Sequence, residues 1–244
     1  MTARHIGFLV VVFLSNIIQC VTGFAGTVLA MPFSVMLVGL DTARPILNVM
    51  GIAASVGVIA KYHKSIDKKE FFTILGVTLP GMLAGAFLKN RLVDYGSLLF
   101  KLLGALVILF ALMNLAAFLL KKDFAEKSRA LGYAFLIAGG VTHGLFVCGG
   151  PLIVSYASVK LKDNNAFRAT LSAVWIVLNT ILMVTDAATG SFNKDILLLT
   201  AVCLAVLVGA ILLGNRIASK MSRKAFLLLT YALMVISGVS LLVK

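Results

Sequence analysis

The residues of this chain with the most chemical promise are polar groups set beside glycine-rich interruptions in apolar sequence. The first interruption reads Thr22-Gly23-Phe24-Ala25-Gly26, followed by Thr27 to Met31 and then Pro32. The second reads Gly139-Gly140-Val141-Thr142-His143-Gly144, followed by Leu145 to Cys148 and then Gly149-Gly150-Pro151. A helix broken inside a membrane frees backbone N–H and C=O groups, each costly in hydrocarbon, so such breaks survive only within protein or beside water. What a break supplies is a helix N-terminus, whose unpaired N–H groups and partial positive charge bind anions. Gly23, Gly26, Gly149 and Gly150 would let an oxyanion approach the backbone closely. Pro151 suits a first helical turn because it has no N–H to satisfy. Packing of one helix against another uses glycines equally well, and the two uses are compatible.

Side chains near the breaks extend the candidate site. Asn16, Gln19 and Thr22 are spaced by three and share one helix face leading into the first break. Asn48 lies one turn beyond Arg44; Thr142 and His143 stand at the second break; Thr170, Ser172, Trp175 and Asn179 recur along the segment after Arg168. A small anion would be held by backbone N–H groups at Gly23–Gly26 and Cys148–Gly150, with Gln19, Thr22, Asn48, His143 and Asn179 as further ligands. The plainer use of such side chains is to bond a neighbouring helix backbone. His143 could also carry a proton, since small changes in surroundings move an imidazole across the physiological range. Arg44 and Arg168 stand at matching helix starts, where they would steer anions electrostatically or anchor the helices at the interface. Catalysis finds no constellation: there is no His-Glu-x-x-His, no pair of intramembrane aspartates and no Cys–His spacing for a metal. Cys20, Cys148 and Cys203 lie in apolar segments without metal spacing or a disulfide framework. No cofactor and no metal is expected.

The elements that must position these groups are membrane helices. Hydrophobic residues make up 61% of the 244 and charged ones 13%, against about 45–50% and about 25% in soluble domains. Mean hydropathy is +1.06. Ten apolar segments stand out: Ile6–Val21, Phe24–Gly39, Ala43–Ala60, Phe71–Leu88 and Ser97–Leu120, then Ala130–Val147, Gly150–Val159, Ala166–Thr185, Ile196–Leu213 and Ala225–Val243. The first is read as a retained helix and not a cleaved leader, because the Gly23 motif follows without a stop. The segments flanking each break are short, and whether they span fully or dip in and out is left open. The net charge of +13 lies between membrane segments, which points to cytoplasmic loops and not to nucleic acid.

The chain is also written twice. Asp41-Thr42-Ala43-Arg44 resembles Asn164-Asn165-Ala166-Phe167-Arg168; Gly85 to Arg91 resembles Gly209 to Arg216; Phe100-Lys101-Leu102-Leu103 resembles Phe226 to Leu229. Pro32 and Pro151 are 119 residues apart. Lys61–Glu70, Lys121–Arg129, Lys160–Arg168 and Arg216–Lys224 carry net charges of +2, +2, +2 and +4, whereas Asp41–Arg44, Lys89–Asp94 and Asp186–Asp195 carry 0, +1 and −1. Placing the basic loops inside requires odd crossing parity in each half. The expected fold is therefore an all-α polytopic membrane protein of two inverted repeats, 1–121 and 122–244. It has eight to ten membrane segments, both termini outside, and its glycine-broken helices meet near the midplane.

The paired breaks, the polar turns at Asp41–Arg44 and Asn164–Arg168, and the glycine-rich fourth segments around Gly81–Asn90 and Gly209–Arg216 resemble the sulfite exporter TauE/SafE family, also called the 4-toluene sulfonate uptake permease family. The resemblance covers nearly the whole chain. It departs from the usual glycine triplet at Ala30-Met31 before Pro32 and at Cys148 before Gly149-Gly150. The resemblance implies a cell-membrane secondary transporter, not an enzyme, of sulfite, a sulfonate or another small organic anion, working by alternating access. An anion channel or structural membrane subunit is the alternative, with a membrane enzyme further behind. Lipid and the anion are the expected partners. A coupling proton or cation, a homo-oligomer, the direction of transport and the identity of the anion are left open.

Overall fold

The computed structural model describes residues 2–22, 25–92, 95–120 and 129–218, and beyond them Leu228, Ala232, Met234–Ile236, Gly238–Val239 and Leu242–Val243. Within these residues the chain is all-α. The helices are α1 (Ala3–Thr22), α2 (Ala25–Val38), α3 (Leu40–Tyr62), α4 (Lys68–Leu92), α5 (Gly96–Leu120), α6 (Arg129–Phe146), α7 (Gly150–Lys160), α8 (Asn164–Ala188) and α9 (Lys194–Ala218), with a short 3-10 turn at His63–Ser65. The tenth apolar segment, at 225–243, lies mostly outside the described residues, as do Gly23 and the Thr22 side chain.

Several helix starts are written locally. Asp163 Oδ1 accepts from Ala166 N–H at 2.8 Å, Asp67 Oδ1 from Glu70 N–H at 3.0 Å, and Asn193 Oδ1 from Ile196 N–H at 2.9 Å. Each bond satisfies one of the N–H groups a helix start leaves open. The link from α2 to α3 is the single residue Gly39, at φ 80, a left-handed conformation that glycine adopts without a Cβ penalty.

Five helical stretches are long and apolar enough to cross a bilayer: Leu40–Ser65, Lys68–Lys89, Ser97–Leu120, Asn165–Ala188 and Lys194–Gly214. Leucines such as Leu109, Leu112, Leu197 and Leu212 are exposed on their outer faces, the arrangement expected where the surrounding solvent is lipid. The chain is a multi-pass integral membrane protein. Eight to ten segments were expected, and the shortfall has a physical source. The apolar stretches of α1 and α2 are the shorter Ala3–Gln19 and Gly26–Val38. With 11 residues, α7 rises only about 16 Å, roughly half of a ~30 Å hydrocarbon core.

Packing pairs the helices in a recurrent pattern. The longest contacts run α4 on α6, α3 on α8, α1 on α9 and α1 on α2; α6 folds back on α7, and α3 meets α9 as α8 meets α4. At the α4–α6 crossing a Cβ on Gly81 would come 2.5 Å from the Ile137 carbonyl oxygen. One on Gly144 would come 2.6 Å from Ala86 N, and Gly85 and Gly140 are as closely faced by backbone. Gly81/Gly85 and Gly140/Gly144 are thus a pair of small-xxx-small contacts that let two backbones touch. This corrects the sequence reading of the second break: Gly139, Gly140, Thr142, His143 and Gly144 lie inside α6, and the interruption itself is Val147–Gly149. The two prolines are also out of register, since Pro151 is the second residue of α7 and Pro32 the eighth of α2.

The crossing of α3 and α8 is antiparallel. Arg44, early in α3, pairs with Asp186 late in α8; Tyr62, at the end of α3, lies under Arg168 early in α8, 5.6 Å from guanidinium to ring centroid. The Tyr62 end also holds Asp67 N–H donating to Thr170 Oγ1 at 2.9 Å and Tyr156 OH donating to Glu70 at 3.0 Å. Lys89 reaches Asp41 at 3.4 Å at the other end.

Candidate functional site

A small, partly open cavity lies where α3 and α8 cross beside the two breaks. Its volume is about 30 Å³, enough for a water molecule or two. From α1 it receives Gln19, and from the start of α2 Thr27 and Val28. Gly51 and Ser55 come from α3, and Trp175 and Asn179 from α8. His143 comes from the last turn of α6, Val147 from the second break and Gly150 from the start of α7.

The second break has an unusual backbone. Val147 N–H still bonds the His143 carbonyl at 2.7 Å, but Val147 itself is at φ 56, a region that β-branched residues rarely enter. Cys148 and Gly149 follow, and α7 begins at Gly150 with Pro151 in its first turn and no side-chain cap. The starts of α4, α8 and α9 carry Asp or Asn caps, whereas those of α3 and α7 have no side-chain cap; of these two, the start of α7 is the one at the cavity. Its positive end is free to face an anion. Gly149 is packed against α6, where a Cβ would fall 2.8 Å from His143 Cβ. Cys148 is buried, with Sγ 3.9 Å from the Thr27 carbonyl, so the residues after the first break and those within the second are in contact.

Above this backbone lies a network of buried amides. His143 Nε2 is 2.8 Å from Asn179 Oδ1. An amide oxygen only accepts, so this contact puts a proton on Nε2. Nδ1 is then left buried without a partner. Trp175 flanks the imidazole with ring centroids 5.3 Å apart. Asn48 Nδ2 donates to the Asn179 backbone oxygen at 2.9 Å while Asn48 Oδ1 stays unpartnered. Gly51 leaves room for the Asn179 amide, since a Cβ there would lie 2.7 Å from Nδ2.

The structure therefore brings Gln19, His143, Gly150 and Asn179 to one cavity and sets Asn48, Cys148 and Gly149 directly behind it. Gln19 is placed differently from the expected anion donor. Its Oε1 accepts Gly26 N–H at 3.0 Å, so the first break closes on its own side chain. Arg44, expected as a surface steering charge or an interfacial anchor, is instead 2% exposed. It bonds Asp186 Oδ1, and its Nη2 donates to the Gly144 carbonyl at 2.8 Å. Arg168 is exposed over Tyr62. Asn16 and Thr142 bond backbone carbonyls of their own helices, and Thr170 serves Asp67. Among the described residues no group of three or more His, Cys, Asp or Glu could hold a metal.

Sequence reasoning passed over Gly51, Ser55 and Asp186. The signal for the first two was present: the 124-residue step from Arg44 to Arg168 carries Gly51 to Trp175 and Ser55 to Asn179. Asp186 was counted as a loop charge, because nothing in sequence marks a carboxylate in the last turn of a helix as buried.

Neither the curated proteins nor the solved structures give a match to this chain. The family model described as sulfite exporter TauE/SafE matches residues 8–241. That span covers both breaks, the amide network and nearly all the chain, and the family is one of membrane transporters, not enzymes. The chain belongs to the sulfite exporter TauE/SafE family.

Proposed function

We propose that the protein is a secondary transporter of a small oxyanion, sulfite or a sulfonate, built from two inverted repeats (1–121 and 122–244) that alternate access to the cavity between α3 and α8. The observation that carries this reading is the make-up of the cavity. A step of 124 residues, the spacing of Arg44 and Arg168, relates Gln19 to His143, Gly51 to Trp175 and Ser55 to Asn179, and all six line it. A site on the axis between repeats is where alternating-access transporters hold substrate.

Three further features support inversion. Helix limits recur at similar offsets: α1–α4 start at 3, 25, 40 and 68, and α6–α9 at 129, 150, 164 and 194. The proposed mates α3 and α8 run antiparallel, as a two-fold axis in the membrane plane requires. Contacts also sort by loop charge. The basic loops 61–70 and 160–168 sit at one end, where Asp67 meets Thr170, and Asp41, Lys89 and Asp186, from the loops of low net charge, gather at the other. The first end would be cytoplasmic; the remaining basic loops, 121–129 and 216–224, fall mostly outside the described residues.

Anion preference rests on the uncapped start of α7 and the amide donors around it, with Asn179 and His143 as side-chain ligands, Asn48 behind them and Gln19 held on Gly26. The cavity is too small here for a sulfonate, so loading requires the rings of His143 and Trp175 or the α2 start to move. Protein reconstituted in liposomes should take up labelled sulfite or a sulfonate with saturation kinetics. Flux rising without saturation would replace the transporter by a channel, and no flux of any such anion would remove the reading.

A further inference from the structure

We propose that Arg44 is a direct ligand for the transported anion, and that in the empty protein the carboxylate of Asp186 occupies its place as a tethered stand-in. The inference rests on the proposed anion transport and adds to it a charged recognition residue with a built-in competitor.

Arg44 is the largest fully buried side chain among the described residues, and charges are kept inside membranes only at considerable cost and usually for function. Its partnership is incomplete. Asp186 Oδ1 takes Nη1 and the Gly144 carbonyl takes Nη2, while Arg44 Nε and Asp186 Oδ2 are both buried with no partner. A guanidinium and a carboxylate can join through two parallel bonds; here a single-point pair leaves a donor and an acceptor vacant. A guanidinium fork suits a tetrahedral sulfur oxyanion as well as it suits a carboxylate.

Position supports the same assignment. The carbonyl that Arg44 holds belongs to Gly144, next in chain to His143 in the cavity wall, and Asn48 one turn along α3 bonds the backbone of Asn179 in the opposite wall. The other charges around the pair are accounted for. Lys89 on α4 is engaged by Asp41 of α3, and on α6 the nearest titratable group is His143. On α4 Arg91 is exposed over Phe87; α9 opens at this end with Lys194 and Asp195, both exposed, and has Arg216 near its far end. Arg44 is thus the buried cation beside the cavity wall that an anion meets once Asp186 releases it. Release has somewhere to go, because Asp186 sits in the last turn of α8, followed by exposed Ala187–Gly190.

Competition of this kind has an unusual signature. Leaving a buried charge without its partner is strongly unfavourable, so D186N should lower the melting temperature of the anion-free protein. An added anion should then restore it, because it supplies the missing counter-charge. A merely structural ion pair would be weakened equally with and without anion. The test uses purified full-length protein, with methanesulfonate and thiosulfate as probes. It reads both melting temperature and the emission of Trp175, the single tryptophan of the chain. D186N is expected to bind at least one probe about tenfold more tightly than wild type and to show the larger anion-dependent rise in melting temperature. R44Q/D186N removes both charges, avoids stranding either one, and should fold yet lose the response. Equal or weaker binding by folded D186N, or undiminished binding by R44Q/D186N, overturns the proposal while leaving anion transport standing. If wild type and D186N respond to neither probe and wild type transports no sulfur oxyanion, the transport reading falls and this inference with it.

Discussion

The two breaks in the membrane are built to one plan and finished in opposite ways. In the first, Gln19 stands one turn before the end of α1 and turns its amide oxygen onto Gly26 N–H, so the start of α2 is capped from within. In the second, His143 stands one turn before the end of α6 but looks away, to Asn179 on α8, and the start of α7 has no side-chain cap. The backbone follows the same division. Val147 holds a left-handed conformation, and Gly149 is pressed against α6. The first break spends its neighbouring polar residue on closing its own helix start, while the second leaves a helix start open and directs its polar residue into the cavity. Matching positions in sequence therefore do not imply matching roles, and of the two breaks the second should carry the contact with the anion.

The largest expected effect tests the rigidity of the open break. Gly149→Ala places a Cβ 2.8 Å from His143 Cβ and closer still to the Gly139 carbonyl, neither of which can move without displacing α6. Gly26→Ala meets first the Gln19 amide oxygen, which can swing aside, and then Gln19 Cβ at 2.7 Å and the Ser15 carbonyl at 2.9 Å, which α1 must shift to clear. Overpacking of this kind costs about 1–3 kcal/mol. We expect Gly149→Ala near or above the top of that range, with transport lost, and Gly26→Ala below it. Melting temperatures in detergent with liposome uptake check the order; equal losses would erase the distinction between the breaks.

Next in size is Asn179→Ala, which removes the acceptor for His143 and strands a second ring nitrogen. A buried group left unsatisfied lowers stability by about 1–3 kcal/mol, and loss of the Asn179 hydrogen bond to a charged ligand, about 1.5–3 kcal/mol, should lower affinity for the anion about tenfold to a hundredfold. Asn179→Asp retains an oxygen at the same place and should preserve the His143 contact, yet it puts a negative charge beside the anion. Uptake should therefore fall in both variants, and both should lose stability, the alanine variant through the stranded ring nitrogen and the aspartate variant through a buried charge. Normal uptake in a folded Asn179→Asp variant would move the anion away from this wall.

How much of this was legible in sequence follows from what hydropathy and spacing can encode. Helix limits were, because apolar length and polar turns fix them: Ala43–Ala60 became Leu40–Tyr62 and Gly150–Val159 became Gly150–Lys160. Family membership was too, since it rests on the order of motifs. The register between halves differs at Pro32 and Pro151: the two prolines close matching motifs in the sequence, yet Pro32 sits mid-helix in α2 and Pro151 in the first turn of α7. The glycines of α6 were taken for a break when they form the α4 contact; a glycine spacing alone does not distinguish an opening from a close approach. Contacts distant in sequence could not be read at all. Arg44 and Asp186 are 142 residues apart, and nothing local says that two loop-edge charges meet in the interior.

A gentler change sharpens the comparison from the side of the closed break. Gln19→Ala leaves Gly26 N–H without its acceptor, a loss comparable to removing a helix cap, about 1 kcal/mol. Stability should fall modestly and the start of α2 should become available to anions, so binding is expected to hold or improve slightly. His143→Ala at the matching position should weaken it strongly. Opposite signs in these two variants, read by anion titration of Trp175 emission, would establish that the halves have exchanged capping for recognition. Weakening of the same size in both would return Gln19 to the role of a direct ligand.

The smallest effect is expected at Val147. A β-branched residue at φ 56 holds a backbone shape that costs an L-residue roughly 1–2 kcal/mol and glycine very little. Val147→Gly relieves that strain, but it also enlarges the unfolded ensemble and removes apolar contacts of a side chain 4% exposed. The two contributions oppose each other and are of similar size, so the melting temperature should move little in either direction. Function should respond more clearly, because the valine closes one wall of the cavity and restricts the turn into α7. The variant is expected to retain anion binding while losing discrimination between sulfite and bulkier sulfonates. If Val147→Gly is instead destabilised as much as Gly149→Ala, the turn is held by the packing of Val147 and not by the shape of the backbone, and the left-handed residue is a consequence of the break instead of its cause.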